Sequence, residues 1–276
     1  MKNLTLYALL SIFMMQASFA QEGLSLISER DFSIGKSLKL QSQILGEERT
    51  LNIYLPLSYQ RDSLKKYPVI YLLDGSEDED FIHIAGLVQF GSFSWINMLP
   101  ESIVVGIANV DRRRDFTLKP MNEEDKKDFP TAGGAPAFMD FIRKEVQVFV
   151  RDQFRTDTLE TLIGQSLGGF FASYTLFTQP DMFDNYVIVS PSTWWDNDYI
   201  LRSTPTVFRK PVKVYIAVGK EGKIMEEGAK ALYELVKGYE GDNLQPYFQF
   251  FPNKDHGDAL HMAVYDAFEK LFIPRK

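Results

Sequence analysis

The segment with the clearest chemical signature is residues 164–168, which read GQSLG and place Ser166 between two glycines. It follows the apolar, strand-like run 159–163 and opens the stretch 167–177, where apolar residues recur every three to four positions as in a helix. A sharp strand-to-helix turn brings backbone close to the serine, so a side chain at either glycine would clash. The turn presents the hydroxyl beside the unpaired N–H groups of the helix. We therefore predict that Ser166 is a nucleophile for acyl transfer.

A serine nucleophile needs a base, and the sequence contains three histidines. In chains with this turn the order is serine, then acid, then histidine, which leaves His256 and His261 as candidates. His256 follows the strand-like segment 248–251 in a short loop before the last helix, whereas His261 lies one turn into that helix. His83 lies in the apolar segment 81–84, where a packing role is simplest. We predict His256 as the base.

A carboxylate partner for the histidine is expected on the loop after the strand-like run 212–218, because it must fix the histidine tautomer. Glu221 is the first choice at that place. Glu226 and Glu227 on the following helix remain alternatives, as does a serine–histidine pair with a weak third member. Asp255 is adjacent to His256 in the chain and is poorly placed to reach its ring.

Two backbone N–H groups are expected to bind the oxyanion of the reaction. One belongs to Leu167, next to the nucleophile. The other is expected on the loop after the run 72–75 (LLDG), where Ser76 is the candidate. Gly75 would let the backbone turn sharply there, although an Asp-Gly pair fits any tight turn.

These residues require a scaffold of alternating strands and helices, and the pattern supplies one. Short β-branched runs typical of buried parallel strands alternate with helical periodicity, while two half-exposed strands near the start indicate an antiparallel hairpin around residues 46–47. We predict an α/β-hydrolase fold: a mostly parallel central sheet, an antiparallel N-terminal hairpin and helices on both faces. The expected strands are 38–45, 50–55, 68–73, 103–108, 158–163, 186–189, 212–218 and 248–251, and the clearest helices are 135–154, 167–177, 225–239 and 258–272.

Composition limits the class and location of the protein. The 276 residues are 45% hydrophobic and 24% charged, as in a globular protein, and include no cysteine, which excludes disulfides and thiolate chemistry. Residues 1–20 have the layout of a secretory signal, so we expect an exported chain, periplasmic or secreted, with one domain over residues 21–276. Removing the signal takes away Lys2 and no acid, which changes the net charge from −7 to −8. This charge argues against nucleic acid as a partner, and the mature chain is not expected to be embedded in a membrane.

Several separate segments together resemble the putative esterase (esterase D) superfamily, and within it the branch of enterochelin esterase and IroE-like serine hydrolases. The resemblance covers nearly the whole predicted mature chain and implies hydrolysis of carboxylic esters, often of catecholate siderophores, without a metal or other cofactor. One departure is Gln165, where relatives often have histidine. The segments are 72–75 (LLDG), 109–117 (NVDRRRDFT), 164–169 (GQSLGG), 190–195 (SPSTWW) and 255–257 (DHG).

Substrate contacts are expected from two of these segments. Arg112 and Arg114 could bind an anionic group because guanidinium forks match pairs of oxygens, or an arginine could pair with Asp115. Trp194 and Trp195 could form an aromatic wall, or one could pack beneath its loop. The expected partner is thus a small-molecule ester of anionic or aromatic character.

Three other activities remain compatible with the sequence. One is hydrolysis of acetyl, feruloyl or other acyl esters of carbohydrates, or of a small thioester. Another is an exported binding module that uses the same pocket without catalysis, although retention of both Ser166 and His256 argues against it. A peptidase is a lesser alternative, because the fold also supports that chemistry.

Overall fold

The computed structural model describes residues 24–241 and 243–272. It has two units, which meet in the chain at Ser33 and Ile34. Residues 24–33 form no helix or strand, and every element lies in the second unit. The predicted signal, residues 1–20, lies outside the described residues. No helix within the described ranges combines the length and apolar character needed to cross a membrane.

The described residues of the second unit contain the strands β1 Lys36–Gln41, β2 Glu48–Tyr54, β3 Tyr67–Leu72, β4 Ile103–Ile107, β5 Thr156–Gln165, β6 Asn185–Val189, β7 Val212–Gly219 and β8 Leu244–Phe251. They form one eight-stranded sheet, in the order β1-β2-β4-β3-β5-β6-β7-β8. β2 runs antiparallel to both β1 and β4, and the remaining neighbours are parallel, which confirms the predicted mixed sheet with its N-terminal hairpin.

Helices cover both faces of the sheet, as predicted, because each buried strand presents apolar residues on its two sides. The helices are α1 Phe81–Gly91, α2 Arg112–Phe116, α3 Glu123–Asp128, α4 Ala135–Phe141, α5 Gln147–Gln153, α6 Leu167–Thr178, α7 Trp195–Asp198, α8 Lys223–Lys237 and α9 Ala259–Phe272, with a π-helical turn at Ile142–Val146 and 3₁₀ turns at Leu57–Gln60, Pro180–Met182 and Tyr199–Arg202. One core contains the buried residues of α1 and α9, and the other contains those of α4, α5, α6 and α8.

Element boundaries differ from the prediction where polar contacts override the hydrophobic pattern. The first strand ends at Gln41 instead of continuing to residue 45, because Ser42 and the following amides turn away to bind Glu145. β5 and β8 are longer than expected, and α1 was not among the clearest predicted helices.

An ion-pair network ties the N-terminal hairpin to α2. Arg49 of β2 is buried, and its Nη1 lies 2.7 Å from Asp115 Oδ2 and 2.8 Å from Glu47 Oε1. Arg114 joins the same two carboxylates, with its Nε 2.8 Å from Asp115 Oδ1. Buried charges are stable only when their partners are retained, so the network fixes the position of α2 relative to the sheet.

We predict that Asp115→Asn lowers the free energy of unfolding by about 3 kcal/mol, because it leaves the buried Arg49 short of a charged partner. Equilibrium urea unfolding measures the effect. Lys39→Gln is the control on the same hairpin, since the Lys39–Glu48 pair is solvent-exposed on both sides. It should change the free energy of unfolding by at most about 0.5 kcal/mol. Equal effects of the two substitutions would contradict a special role for the buried network.

Candidate active site

Ser166 occupies a strained turn between β5 and α6. Its φ of 58° and ψ of −119° lie outside the regions that a non-glycine residue normally adopts. The turn is held by its neighbours: the N–H of Ser166 donates to the carbonyl of Val189 at 3.0 Å. A Cβ on Gly164 would lie 2.4 Å from the carbonyl oxygen of Gly168, so residue 164 must be glycine. Ser166 therefore lies at a sharp strand-to-helix turn, as the sequence predicts.

The loops that carry Glu221 and His256 leave neighbouring strands side by side. β7 and β8 are parallel, and their last paired residues are Gly219 and Phe251. Beyond them the carbonyl of Lys254 accepts the N–H of Lys220 at 2.5 Å. A Cβ on Gly219 would lie 2.5 Å from this carbonyl oxygen, so the small residue allows the loops to meet.

Glu221 contacts the ring of His256 directly. Glu221 Oε2 lies 2.5 Å from His256 Nδ1, which leaves Nε2 as the nitrogen available for proton transfer. The other oxygen, Oε1, accepts the Ser190 hydroxyl at 2.5 Å and the N–H of Gly219 at 2.8 Å. The Glu221 side chain is only 1% exposed, whereas that of His256 is 47% exposed. The arrangement orients the imidazole and leaves it open to solvent.

The two groups shift each other's pKa in opposite directions. Burial opposes ionisation of Glu221, but hydrogen bonds from His256, Ser190 and Gly219 outweigh it and lower the pKa of Glu221. The hydrogen bond to Glu221 raises the pKa of His256, against a smaller opposing effect of burial. The pair therefore favours a carboxylate beside an imidazole whose basicity is increased, as general-base catalysis requires.

His256 and Ser166 line the same open cleft, which has a volume of about 390 Å³. Gln165 connects them, because its Nε2 donates to the backbone carbonyl of His256 at 2.6 Å. Gln165 stands where relatives often have histidine, and its contact holds the His256 loop against the turn at Ser166.

Both predicted oxyanion donors follow neighbouring parallel strands. Leu72 of β3 pairs with Ile163 of β5, so the loops after them emerge at the same edge of the sheet. Leu167 is the first residue of α6, where N–H groups have no partner within the helix. Ser76 follows β3 through Gly75, where a Cβ would lie 2.4 Å from Gly106 Cα. This placement is compatible with an oxyanion hole.

The two arginines proposed for substrate binding are occupied differently. Arg112 lines the cleft, but its Nε and Nη2 bind the two oxygens of Asp74 at 2.6 and 3.0 Å. Arg114 is held by Glu47 and Asp115 in the hairpin network and does not line the cleft. The structure therefore brings Arg112 to Ser166 and gives Arg114 a structural contact instead.

The two tryptophans also differ, because one is buried and the other is partly exposed. Trp195 is fully buried and packs edge-on against Phe129 at 4.9 Å between ring centroids, so the expectation that it forms a wall of the substrate site is wrong. Its side chain is large and apolar and fills the space beneath the loop. Trp194 is partly exposed and packs beside Phe129 and Trp195. Only Trp194 retains a surface that a ligand could touch.

The remaining histidines and acids lie elsewhere. His83 and His261 stack on each other with ring centroids 3.5 Å apart, and burial together with His83 lowers the pKa of His261. Glu226 Oε1 accepts the N–H of Gly222, and Glu227 lies 3.9 Å from Lys223. These contacts leave Glu221 as the carboxylate beside His256.

Sequence reasoning did not single out four residues of the site. Ser190, with a φ of 44°, positions Glu221, and Glu79 and Asp80 line the cleft with Ser166. Ser192 lies beside Ser166, with 3.4 Å between the two hydroxyl oxygens. Their common signal is position, because all four follow the carboxyl end of a parallel strand.

Comparison of the chain with known proteins identifies the family to which it belongs. The model of the family described as "Putative esterase" matches residues 42–255, which is most of the chain. The chain belongs to this family. It is a carboxylic ester hydrolase, as predicted.

Named relatives agree with this assignment. Ferri-bacillibactin esterase BesA of Bacillus subtilis (strain 168) is 27% identical over 252 residues, which cover 83% of this chain and 87% of that protein. The siderophore triacetylfusarinine C esterase of Aspergillus fumigatus is 42% identical over 171 residues, 56% of this chain and 55% of that protein. The solved IroE-like serine hydrolase from Shewanella oneidensis has a TM-score of 0.75 at 27% identity, covering 86% of this chain and 80% of that one.

We predict that Glu221→Gln lowers kcat/KM for an ester by roughly 10³–10⁴-fold, because the histidine loses the partner that fixes its tautomer. Hydrolysis needs neutral His256, so activity rises as pH rises through the pKa of His256. Glu221 raises that pKa, so its removal should move the acidic limb of the kcat/KM profile to lower pH. A pH series of initial rates measures both effects.

Glu226→Gln is the matched control, because Glu226 binds the backbone of Gly222 and has no contact with His256. It should leave the pH profile in place. An unchanged profile in Glu221→Gln, or a shifted one in Glu226→Gln, would contradict the assignment of the acid.

Proposed function

We propose that the chain is a serine esterase in which Ser166 is the nucleophile, His256 the general base and Glu221 its carboxylate partner. The observation that carries the proposal is the 2.5 Å contact between Glu221 and His256 at the cleft that Ser166 also lines. The strained turn at Ser166 is the second support, since such strain persists only where the surrounding structure enforces it.

Acylation begins when His256 Nε2 takes the proton of the Ser166 hydroxyl and Oγ attacks the ester carbonyl carbon. The N–H groups of Leu167 and Ser76 are the proposed donors to the resulting oxyanion. When the tetrahedral intermediate collapses, the bond to the alcohol oxygen breaks and His256 returns the proton to that oxygen. The acyl group is then bound to Ser166 as an ester.

Deacylation repeats these steps with water as the nucleophile. His256 takes a proton from the water, whose oxygen bonds to the acyl carbon. The bond to Ser166 Oγ breaks, and Oγ regains the proton from His256. The carboxylic acid leaves and the free enzyme is restored.

The proposed substrate is an ester bond of a siderophore. Two of the relatives named above support this proposal: one is a ferri-bacillibactin esterase and the other a siderophore triacetylfusarinine C esterase. The first matches over most of both chains. An open cleft beside the nucleophile suits a bulky substrate better than a narrow tunnel would. Trp194 is the aromatic side chain proposed to contact it.

We predict that Ser166→Ala loses at least about 10⁴-fold of kcat on siderophore esters and on simple aryl esters, because it removes the oxygen that carries the acyl group. Product formation is followed by chromatography for the siderophores and by absorbance for the aryl esters. Ser192→Ala is the control, since its hydroxyl lies 3.4 Å from that of Ser166 and is the nearest rival nucleophile. Full activity in Ser166→Ala would refute the nucleophile, and aryl-ester activity without siderophore turnover would refute the substrate.

We further propose that the chain is exported and that nucleic acid is not a partner. Support comes from the lysine at position 2, the apolar stretch 4–15 and the small residues before position 21, together with the net negative charge. Expression of the full chain in a Gram-negative host should yield a periplasmic or secreted protein whose N-terminal residue, read by sequencing, lies near Gln21. A cytoplasmic product that retains residues 1–20 would contradict export.

A further inference from the structure

The cleft that contains Ser166 is lined by more negative than positive charge. Its charged lining consists of three carboxylates and one guanidinium, in addition to the imidazole of His256. The guanidinium is Arg112 and the carboxylates are Asp74, Glu79 and Asp80. A substrate entering the cleft therefore meets an excess of acid close to the nucleophile.

Arg112 is already neutralised by one of these acids. Its two nitrogen contacts to Asp74 use both carboxylate oxygens, and its Nη2 also donates to the carbonyl of Gln165 at 3.3 Å. Paired charges of this kind cancel at a distance, and the bidentate contact occupies two of the three guanidinium nitrogens. The arginine expected from the sequence to bind an anionic substrate is therefore committed within the protein.

Glu79 and Asp80 are left without such compensation. Asn109 Nδ2 lies 3.2 Å from Glu79 Oε2 and 2.7 Å from Asp74 Oδ1, which gives Glu79 a neutral donor that leaves its charge intact. In the part of the chain that the structure describes, no lysine or arginine lies within ion-pair distance of Glu79 or Asp80. Both acids line the cleft together with Ser166.

Asp80 responds to this surplus of negative charge. Burial, followed by the neighbouring Asp74 and Glu79 carboxylates, raises the pKa of Asp80 to about 6, against a smaller opposing effect of Arg112. At pH 7 and above Asp80 is mostly ionised. A positive group placed beside the ionised Asp80 and Glu79 would be stabilised by their charges.

We propose that Glu79 and Asp80 determine substrate charge in this active site: they favour esters with a positive or neutral group near the scissile bond over anionic ones. The inference rests on the proposed function of the Ser166 site and specifies its substrate class. Among siderophore esters, neutral or cationic forms would be selected over polyanionic ones. Like charges facing each other across a binding surface disfavour the wrong partner.

The test uses three aryl esters that differ only in the end group of the acyl chain: a trimethylammonium group, its isosteric tert-butyl group and a carboxylate. For the wild type at pH 8, kcat/KM should follow the order cationic, neutral, anionic. The ratio of kcat/KM for the cationic ester to kcat/KM for the neutral ester should fall by about tenfold in the double variant Glu79→Gln/Asp80→Asn. This is the size of a charge interaction between partly exposed groups. Each single variant should lose part of this preference, with the change in KM more than in kcat.

Asp78→Asn is the matched control. Asp78 is an exposed acid of the same turn and does not line the cleft, so the variant removes one negative charge with no change in the lining. The ratio of kcat/KM for the cationic and the neutral ester should be the same in Asp78→Asn as in the wild type. The rate on the neutral ester shows in each variant that the enzyme is folded.

A pH series gives an independent readout. The charged groups that face Asp80 are Asp74, Glu79 and Arg112, with His256 across the cleft. Titration of His256 affects all three esters, so it cancels in the ratio of the cationic to the neutral ester. This ratio should rise as pH increases through about 6, where Asp80 ionises, and the rise should disappear in Asp80→Asn.

Two failures are distinguishable. If the wild type hydrolyses all three esters but the ratio is near one, or the double variant keeps the wild-type ratio, charge selection by Glu79 and Asp80 is wrong and the serine esterase stands. If no ester is hydrolysed in a Ser166-dependent way, the proposed function itself fails.

Discussion

The contact between the buried Glu221 carboxylate and the ring of His256 is the interaction on which the site depends. The contact removes the carboxylate charge from water, and hydrogen bonds from three donors offset this desolvation cost. The donors are the imidazole, the Ser190 hydroxyl and the N–H of Gly219. Because the carboxylate is fixed on one side by backbone, the imidazole on its other side has a fixed direction. His256 lines the same cleft as Ser166.

The sheet makes that contact possible because it brings segments that are distant in the chain to one edge. Glu221 follows β7 and His256 follows β8, while Ser166 follows β5, and these strands are parallel within one sheet. Register places the strand ends level with each other, so short loops suffice. The ion pairs of Arg49 and Asp115 serve the same end at the other side of the sheet, because they fix α2 and with it Arg112 at the cleft.

The sequence predicted the parts of the site that local pattern determines. The turn at Ser166 and the loops of Glu221 and His256 could be located because each follows a recognisable buried strand. The roles of Arg114 and Trp195 could not, since residue type does not reveal which way a side chain faces: one joins the hairpin network and the other is buried. The contact of Gln165 with His256 and the position of Glu79 and Asp80 in the cleft could not be predicted either, because they depend on residues distant in the chain.

Covalent labelling with a fluorophosphonate, followed by peptide mass spectrometry, tests most directly whether Ser166 is the nucleophile and His256 its base. We expect one adduct, on the peptide that contains Ser166, and we expect it to form faster as His256 loses its proton with rising pH. Labelling at a different residue, or ester hydrolysis that continues in protein with no label, would contradict it.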